Sequence, residues 1–580
     1  MTPELFFISP YNRKQILYEA LKKSFLGNIS EKEICQIYDI RYNTFRSLKR
    51  DFLKKIRNSE DPAELFFTSS QVGKRKKRQP EIEAKIMALR KKNLSVPDIK
   101  AILSSEDIHI SFWKIDKVLK ENNFPPLARR TQQKKQNLSI PEEFQAEESF
   151  QLAFNATEKF ESLNGSIFLF YPILKKLNIE KIITEAGYPG TKQISSLNAI
   201  LTLLALKLMG TKRLSHSNDY ALDRGLGLFA GLNVLLKDAS CSAYSYRISR
   251  RMNVKFLELL NQEVEKLIPS GSDFNLDFTT IPHWGDESVL ENNWSNKRHI
   301  GLKSIVALLV QDQETQLLKY SDAEIKHKNQ SDAIFDFVDF YRKGNGKINC
   351  LIFDSKFTTY NNLGQLNKDA IKFITLRRRS KKLVDKIDKI DRNQWYQVKL
   401  GKEFKRKHRN LLVYDHRIEL KDYGDSLREV VIKNNGRDKP TFMITNDFEI
   451  TTKQLVLKYA RRWLVEQSIA EQIGFYHLNR LNSSIVVKVD FDLTMSVFAE
   501  TIYKLFGNQI PGFENVKSDK IHRLFIKNYS YFRVADKKIN ITLNKKVNLP
   551  LLYETDWFEN EISIPWLNNY KLKFEIGTSL

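Results

Sequence analysis

Up to Asn122, apolar positions recur at helical spacing in short runs separated by turn residues. The first run covers about Asn12 to Leu26 and stops at Gly27-Asn28, a C-terminal helix signal. The second opens at Ser30, where Ser30-x-x-Glu33 forms a capping box ahead of Ile34, Ile37 and Ile40. After a short turn near Asp39 a third helix is predicted over about Tyr42 to Ile56, with Phe45, Leu48, Phe52 and Ile56 on one face. The order then recurs: a helix from Pro80 to Lys92, one opening at Ser95-Val96-Pro97-Asp98 and running to about Ser104, and one from Ser111 to Asn122. Gln132 to Glu148 reads as a linker, and residues 150–270 as mainly helical, with Leu197–Leu208 the most buried element.

From about Gly271 the period changes from helical to alternating. Phe274–Phe278, Lys303–Val310 and Gln316–Tyr320 read as three strands, followed by a helix over Ser331–Tyr341. Ile348–Phe353 is a buried strand ending at Asp354; a helix over about Asn361–Lys368 and a strand over Ile371–Leu376 follow. Three strands, then helix, strand, helix, strand is the order of an RNase H-like fold. Trp395–Lys399, Leu411–Glu419, Glu429–Lys433 and Pro440–Thr445 add further strand-like stretches, and Lys453–Arg480 reads as one long helix.

A chain of 580 residues is too long for one ordinary core and predicts two to four domains. Apolar and charged fractions of 42% and 28% are those of a globular protein. Cys35, Cys241 and Cys350 lie far apart and make neither a CxxC pair nor a disulfide framework, which fits a reducing cytoplasm. The first residues lack the charged and apolar segments of a signal peptide, and Leu197–Met209 is too short to span a bilayer.

Charge alters the picture most. The 94 Lys+Arg exceed the 69 Asp+Glu by 25, and a polyanion is the natural partner of such a surface. Residues 1–140 hold 29 Lys+Arg and 16 Asp+Glu, so this quarter of the chain carries about half of the excess. The third helix shows Arg41, Arg46, Lys49 and Arg50 away from its apolar stripe, the order of a helix-turn-helix whose last helix enters a major groove. A plain three-helix bundle with a solvated basic face is the alternative. Lys74-Arg75-Lys76-Lys77-Arg78 is a basic tether suited to phosphates, and the second set of helices carries Trp113, Lys114, Lys117 and Lys120.

Candidate chemistry comes from three acids. Asp277 sits in the first strand and Asp354 directly after the fourth, neighbours in an RNase H-like sheet, so both carboxylates meet at one sheet end. Hard divalent ions need only one or two carboxylates plus substrate phosphate oxygens. On a continuous helix, Tyr459 and Arg462 lie about 20° and 40° from Glu466, with His477 and Arg480 on the same stripe further on. Such a stripe suits phosphate contact with Glu466 as metal ligand. It also suits a solvated face held by ion pairs, in which case Glu471 is an equal candidate.

Tyr-x-x-Arg-x-x-x-Glu at Tyr459, Arg462 and Glu466 resembles the signature of DDE-class insertion-sequence transposases, the group with a β-rich insertion before the last acid. Leu276-Asp277-Phe278-Thr279 and Ile352-Phe353-Asp354-Ser355 resemble that family's two Asp-bearing strand ends, and spacings of 77 and 112 residues leave room for the insertion. The family's Lys seven residues after the Glu is Ile473 here, a departure that leaves its phosphate contact to His477 or Arg480. The resemblance covers roughly residues 270–505.

The resemblance implies two Mg²⁺ ions, replaceable by Mn²⁺, held by Asp277, Asp354 and Glu466. It also implies cleavage at element ends, strand transfer into target double-stranded DNA, and a homodimer on DNA in the cytoplasm beside the nucleoid. The expected architecture is multidomain α/β. A helix-turn-helix unit over residues 1–72 precedes a basic linker with a second such unit over 73–140. A helical region over 150–270, for dimerisation, DNA clamping or scaffold, leads to the catalytic domain over 271–505, with its insertion at about 380–450. Residues 506–580 carry no assigned role. A transposase-derived DNA-binding protein without catalysis and a nuclease without strand transfer are the competing readings.

Overall fold

The computed structural model describes residues 13–58, 64–67, 80–91, 94, 96–105, 108–121, 157–191, 194–220, 222–283, 290–295, 300–326, 330–357, 359–401, 409–480 and 486–577. The basic run Lys74–Arg78, the cap at Ser95 and the linker at 132–148 lie outside them. The chain divides into two compact units, residues 1–125 and 126–580, each described by itself.

The first unit opens with α1 (Arg13–Leu26), α2 (Glu31–Ile37) and α3 (Tyr42–Arg57). The capping box forms: Glu33 N–H donates to Ser30 Oγ at 3.4 Å while Ser30 N–H donates to Glu33 Oε2 at 3.0 Å. Asp39, at φ +48°, turns the chain between α2 and α3 and lets Ile40 join a core of Ala20, Leu21, Ile34, Cys35 and Phe45. Ile56 falls outside that core and is half exposed, because α3 outruns the bundle beneath it. Arg41, Arg46 and Arg50 face solvent, whereas Lys49 pairs with Glu31 at 2.6 Å.

A second bundle, α4 (Pro80–Lys91), α5 (Val96–Ser105) and α6 (Phe112–Glu121), closes over Ile86, Ile99, Leu103, Ile115, Val118 and Leu119. Trp113 stays 70% exposed, with Lys117 Nζ 5.1 Å from its ring centre.

The second unit holds β1 (Thr157–Ser162), α7 (Ser196–Leu208) and α8 (Arg250–Leu267), then β2 (Asp273–Pro282), β3 (Asn292–Ser295), β4 (Ile300–Asp312) and β5 (Leu318–Ile325). Next come α9 (Ala333–Lys343), β6 (Cys350–Phe353), α10 (Tyr360–Lys368) and β7 (Lys372–Leu376). The expected inserted strands follow as β8 (Tyr396–Lys399), β9 (Asn410–Glu419), β10 (Ser426–Lys433) and β11 (Thr441–Thr445). They extend the central sheet instead of standing apart from it. β11 pairs antiparallel with β7, Thr445 beside Ile374, and the path runs β3-β4-β2-β6-β7-β11-β10-β9-β8, with β5 on β4. β6 and β7 are parallel to β2; β4 is antiparallel to it.

The expected single helix over Lys453–Arg480 is instead α11 (Thr452–Ala460) and α12 (Trp463–Gly474), followed by the single turn Leu478–Arg480. α13 (Val486–Gly507) comes next. One face of α13 gives Phe491, Met495, Phe498 and Ile502 to a core shared with α7; another gives Val489, Leu493 and Val497 to the core under the large sheet. Residues 157–267 are mainly helical and do not pack alone. They share that first core with β12 (Ser530–Ala535), β13 (Lys538–Asn544), β14 (Ile562–Ile564) and β15 (Tyr570–Gly577). The C-terminal strands form a sheet ordered β1-β12-β13-β15-β14, and the Phe160 and Phe532 rings stack at 4.7 Å across its first pair. Among the described residues, no helix is long and apolar enough to cross a membrane.

Candidate active site

β2 lies at the centre of the large sheet, and its register against parallel β6 sets Leu276 beside Phe353. The next residues, Asp277 within β2 and Asp354 directly after β6, therefore lie at one level on adjacent strands. Each carboxylate is oriented by the following backbone amide: Phe278 N–H donates to Asp277 Oδ1 at 2.8 Å, and Ser355 N–H to Asp354 Oδ1 at 2.7 Å. The Phe278 and Phe357 rings, stacked at 4.1 Å, tie the turn after β6 to β2.

Glu466 comes from the first turn of α12. The break between α11 and α12 contains neither glycine nor proline. Around it, Leu464 and Val465 bond to carbonyls three residues back, which tightens the turn and changes which carbonyls need outside donors. Buried side-chain amides of the sheet supply donors. Asn275 Nδ2 donates to the Arg461 carbonyl at 3.2 Å, Gln313 Nε2 to that of Lys458 at 3.0 Å, and Gln311 Nε2 to that of Leu464 at 3.3 Å and to Ser468 Oγ at 2.9 Å. The helix carrying the third acid is thus pinned to β2 and to β4 and its turn by hydrogen bonds.

Arg462 stands at the break. It donates to Asp277 Oδ2 at 3.1 Å and to Glu466 Oε1 at 2.5 Å, with its guanidinium 5.7 Å from the centre of the Tyr459 ring. Burial raises the Asp277 pKa; Arg462 and the Phe278 amide oppose the rise, while Glu466 and Asp354 add to it. Burial works against the Arg462 charge, but Tyr459, Asp277 and Glu466 outweigh it and hold that pKa above the ordinary value. Burial pushes the Tyr459 hydroxyl up to about 12.

A cavity of about 590 Å³ lies here, lined by Asp354, Tyr459, Arg462, Trp463 and Glu466. Arg377, Arg378, Arg379 and Arg437 line it as well, a basic set that the sequence reading missed. The run Leu376-Arg377-Arg378-Arg379 at a strand end was the available signal. Arg377 is anchored to buried Glu429 at 2.7 Å, and Arg378 Nε donates to the Ser355 carbonyl at 3.4 Å.

Other expected positions separate. Glu471 is buried and accepts Ser518 N–H at 2.7 Å, so it faces away from the cleft. His477 and Arg480 do not share the Glu466 face: α12 ends at Gly474, His477 takes φ +55°, and both residues line a different cavity.

Among the described residues, no three His, Cys, Asp or Glu side chains form a ready-made ion cage. The donor chemistry nevertheless fits a hard divalent cation. The three candidates are carboxylates, the oxygen donors such an ion takes, and a cationic guanidinium already lies against two of them.

Residues 272–499 match the family model described as the transposase DDE domain. No curated protein matches the chain. A solved structure, the cryo-EM piggyBac transposase synaptic complex with hairpin DNA, is similar at 10% identity and a TM-score of 0.33, over 61% of this chain and 80% of that one. The similarity to that domain spans residues 272–499, less than half of the chain.

Proposed function

We propose that the protein is a DNA transposase that binds its element's ends, cuts them in a metal-dependent step and joins them to target DNA. The observation that carries this reading is Arg462 bridging Asp277 and Glu466 in the cleft that Asp354 also lines. The sheet order β5-β4-β2-β6-β7 supports an RNase H-like reading of the domain.

Asp277, Asp354 and Glu466 would hold Mg²⁺, or Mn²⁺ in its place, which supplies water activation and neutralises charge on the scissile phosphate. Arg462, which lines the same cleft, would contact that phosphate. Arg378, Arg379 and Arg437, which line the same cleft, position the backbone. Water attacks phosphorus in line as the 3′-oxygen leaves, giving a 3′-hydroxyl and a 5′-phosphate. The 3′-hydroxyl then attacks a target phosphodiester by the same displacement, so no covalent protein–DNA link is needed.

In the first unit, Arg41 at the N-cap of α3, Arg46 and Arg50 on it, and Lys49 once released from Glu31 would meet a major groove in a helix-turn-helix arrangement, and the second bundle plays the same part. A homodimer on DNA pairs the two ends.

The full-length protein, incubated with DNA carrying its own flanking sequence and Mg²⁺, is expected to cut at fixed positions. It should also join the new 3′ ends to a second duplex. Specific binding without any cut across Mg²⁺ and Mn²⁺ concentrations would sink the enzymatic reading; cutting without joining would leave a nuclease.

A further inference from the structure

Beyond α12 the chain reverses at His477 and sets the turn Leu478–Arg480 against α7 and α13. A cavity of about 230 Å³ lies there, apart from the cleft of the three acids. Cationic side chains reach it from several elements: Lys207 from α7, Lys212 and Arg213 from the loop after it, Arg480 from the turn, and Lys488 from α13. Only two carboxylates, Asp238 and Asp492, line it in return, and Asp492 is already engaged by Lys207 at 2.7 Å.

Lys488 Nζ donates to Ser242 Oγ at 3.0 Å and lies 3.9 Å from the centre of the Tyr246 ring, with no carboxylate paired to it among the described residues. Burial alone brings its pKa down to about 8. Thr211 Oγ1 lines the same wall, buried and without a hydrogen-bond partner within the described residues. Excess cationic charge, a hydroxyl without a partner and a small volume together describe an oxyanion site.

We propose that this cavity binds a phosphate of the DNA backbone, on the strand whose scissile phosphate enters the cleft of Asp277, Asp354 and Glu466. The assignment rests on the DNA-processing reading above.

The test uses full-length protein, Arg480→Gln and Lys488→Met. Binding of a duplex end fragment is followed over a salt series, and melting temperature is followed in inorganic phosphate against chloride of equal ionic strength. Loss of one phosphate contact lowers the slope of log K against log salt by about 0.9 in each variant, and Arg480→Lys restores it. Unchanged slopes in both variants overturn the proposal. A phosphate-dependent rise in melting temperature that the variants lose, with DNA slopes unchanged, assigns the cavity to free phosphate and overturns it equally. Arg480 is exposed, so its variant carries the test if Lys488→Met fails to fold. The enzymatic reading fails separately: protein that never cuts DNA but shows the slope change keeps this site, and protein that cuts with unchanged slopes loses it.

Discussion

Arg462 reaches Asp277 across 3.1 Å from the junction of two helices, and the same guanidinium holds Glu466. The Glu466 and Asp354 carboxylates add to the cost of ionising buried Asp277, and the Arg462 guanidinium offsets it. Asp277→Asn, Asp354→Asn and Glu466→Gln are each expected to abolish strand cleavage while leaving duplex affinity within about twofold. Affinity comes from basic contacts elsewhere, and the acids act in the chemical step. Gel mapping of cut ends beside a binding titration checks this. Undiminished cutting by any one variant would remove that residue from the site.

Arg462→Ala should slow cleavage by roughly ten- to a hundredfold, with Arg462→Lys recovering part of the loss. A charge-assisted contact made in the transition state contributes on the order of 1.5–3 kcal/mol, and a planar fork meets two oxygens where an ammonium meets them as a point charge. Single-turnover rates at saturating DNA separate this effect from binding. A wild-type rate for the alanine variant would reduce Arg462 to a surface ion pair.

Gln311 holds α12 through the Leu464 carbonyl and Ser468 Oγ. Gln311→Leu leaves both buried partners short of a donor, so it is expected to lower stability by about 1–3 kcal/mol and cleavage along with it. Gln311→Glu, offering oxygens where donors are needed, should be no better. Chemical denaturation and cleavage rates measured on the same preparations decide the matter; two unaffected variants would mean that α12 is placed by packing alone.

How far the chain was legible follows from where its information lies. α1 to α6 and the strands β2, β4, β6 and β7 announce themselves through period, caps and turn residues, all local signals. Asp277 and Asp354 could be placed together because adjacent strand ends follow from strand order. The α11–α12 break could not: no Gly or Pro marks it, and the amides that satisfy it, Asn275, Gln311 and Gln313, are far away in sequence. His477 and Arg480 were misplaced for that reason, since a helical wheel assumes an unbroken axis. β1 was missed likewise, because its partner β12 lies more than 360 residues later. The arginine run at 377–379 was visible as sequence, but only the fold brings it into the cleft that Asp354 and Glu466 line.

Removing residues 1–125, a compact unit by contact, is expected to abolish selective binding of end sequences while the remaining chain stays folded. This segment carries a large share of the positive excess, and its α3 offers Arg41, Arg46 and Arg50 to solvent. Competition between end and random duplexes at moderate salt is the measurement. Full selectivity in the truncated protein would assign end recognition to the second unit.

The last prediction concerns the far side of α12. Glu500 of α13 is fully buried and accepts hydrogen bonds from Ser468 Oγ at 2.9 Å and Gln472 Nε2 at 2.6 Å, both on the helix that carries Glu466. Burial pushes its pKa up to about 8, and the nearby Glu471 carboxylate adds to the rise. In the unfolded chain the group ionises at the ordinary glutamate value, near 4.3. Between these two values the folded protein keeps a proton that the unfolded protein has lost, so stability falls as pH rises. The slope is at most roughly 1.4 kcal/mol per pH unit from this group, and the fall levels off above the folded pKa. Glu500→Gln cannot ionise, yet it retains an oxygen for Ser468 and Gln472. Its denaturation midpoint should therefore exceed that of the wild type increasingly from pH 5 to 8, with the difference constant above that. Parallel pH profiles for the two proteins would mean that Glu500 titrates alike in the folded and unfolded chain, and that its burial imposes no pH dependence on the anchor of the α12 helix.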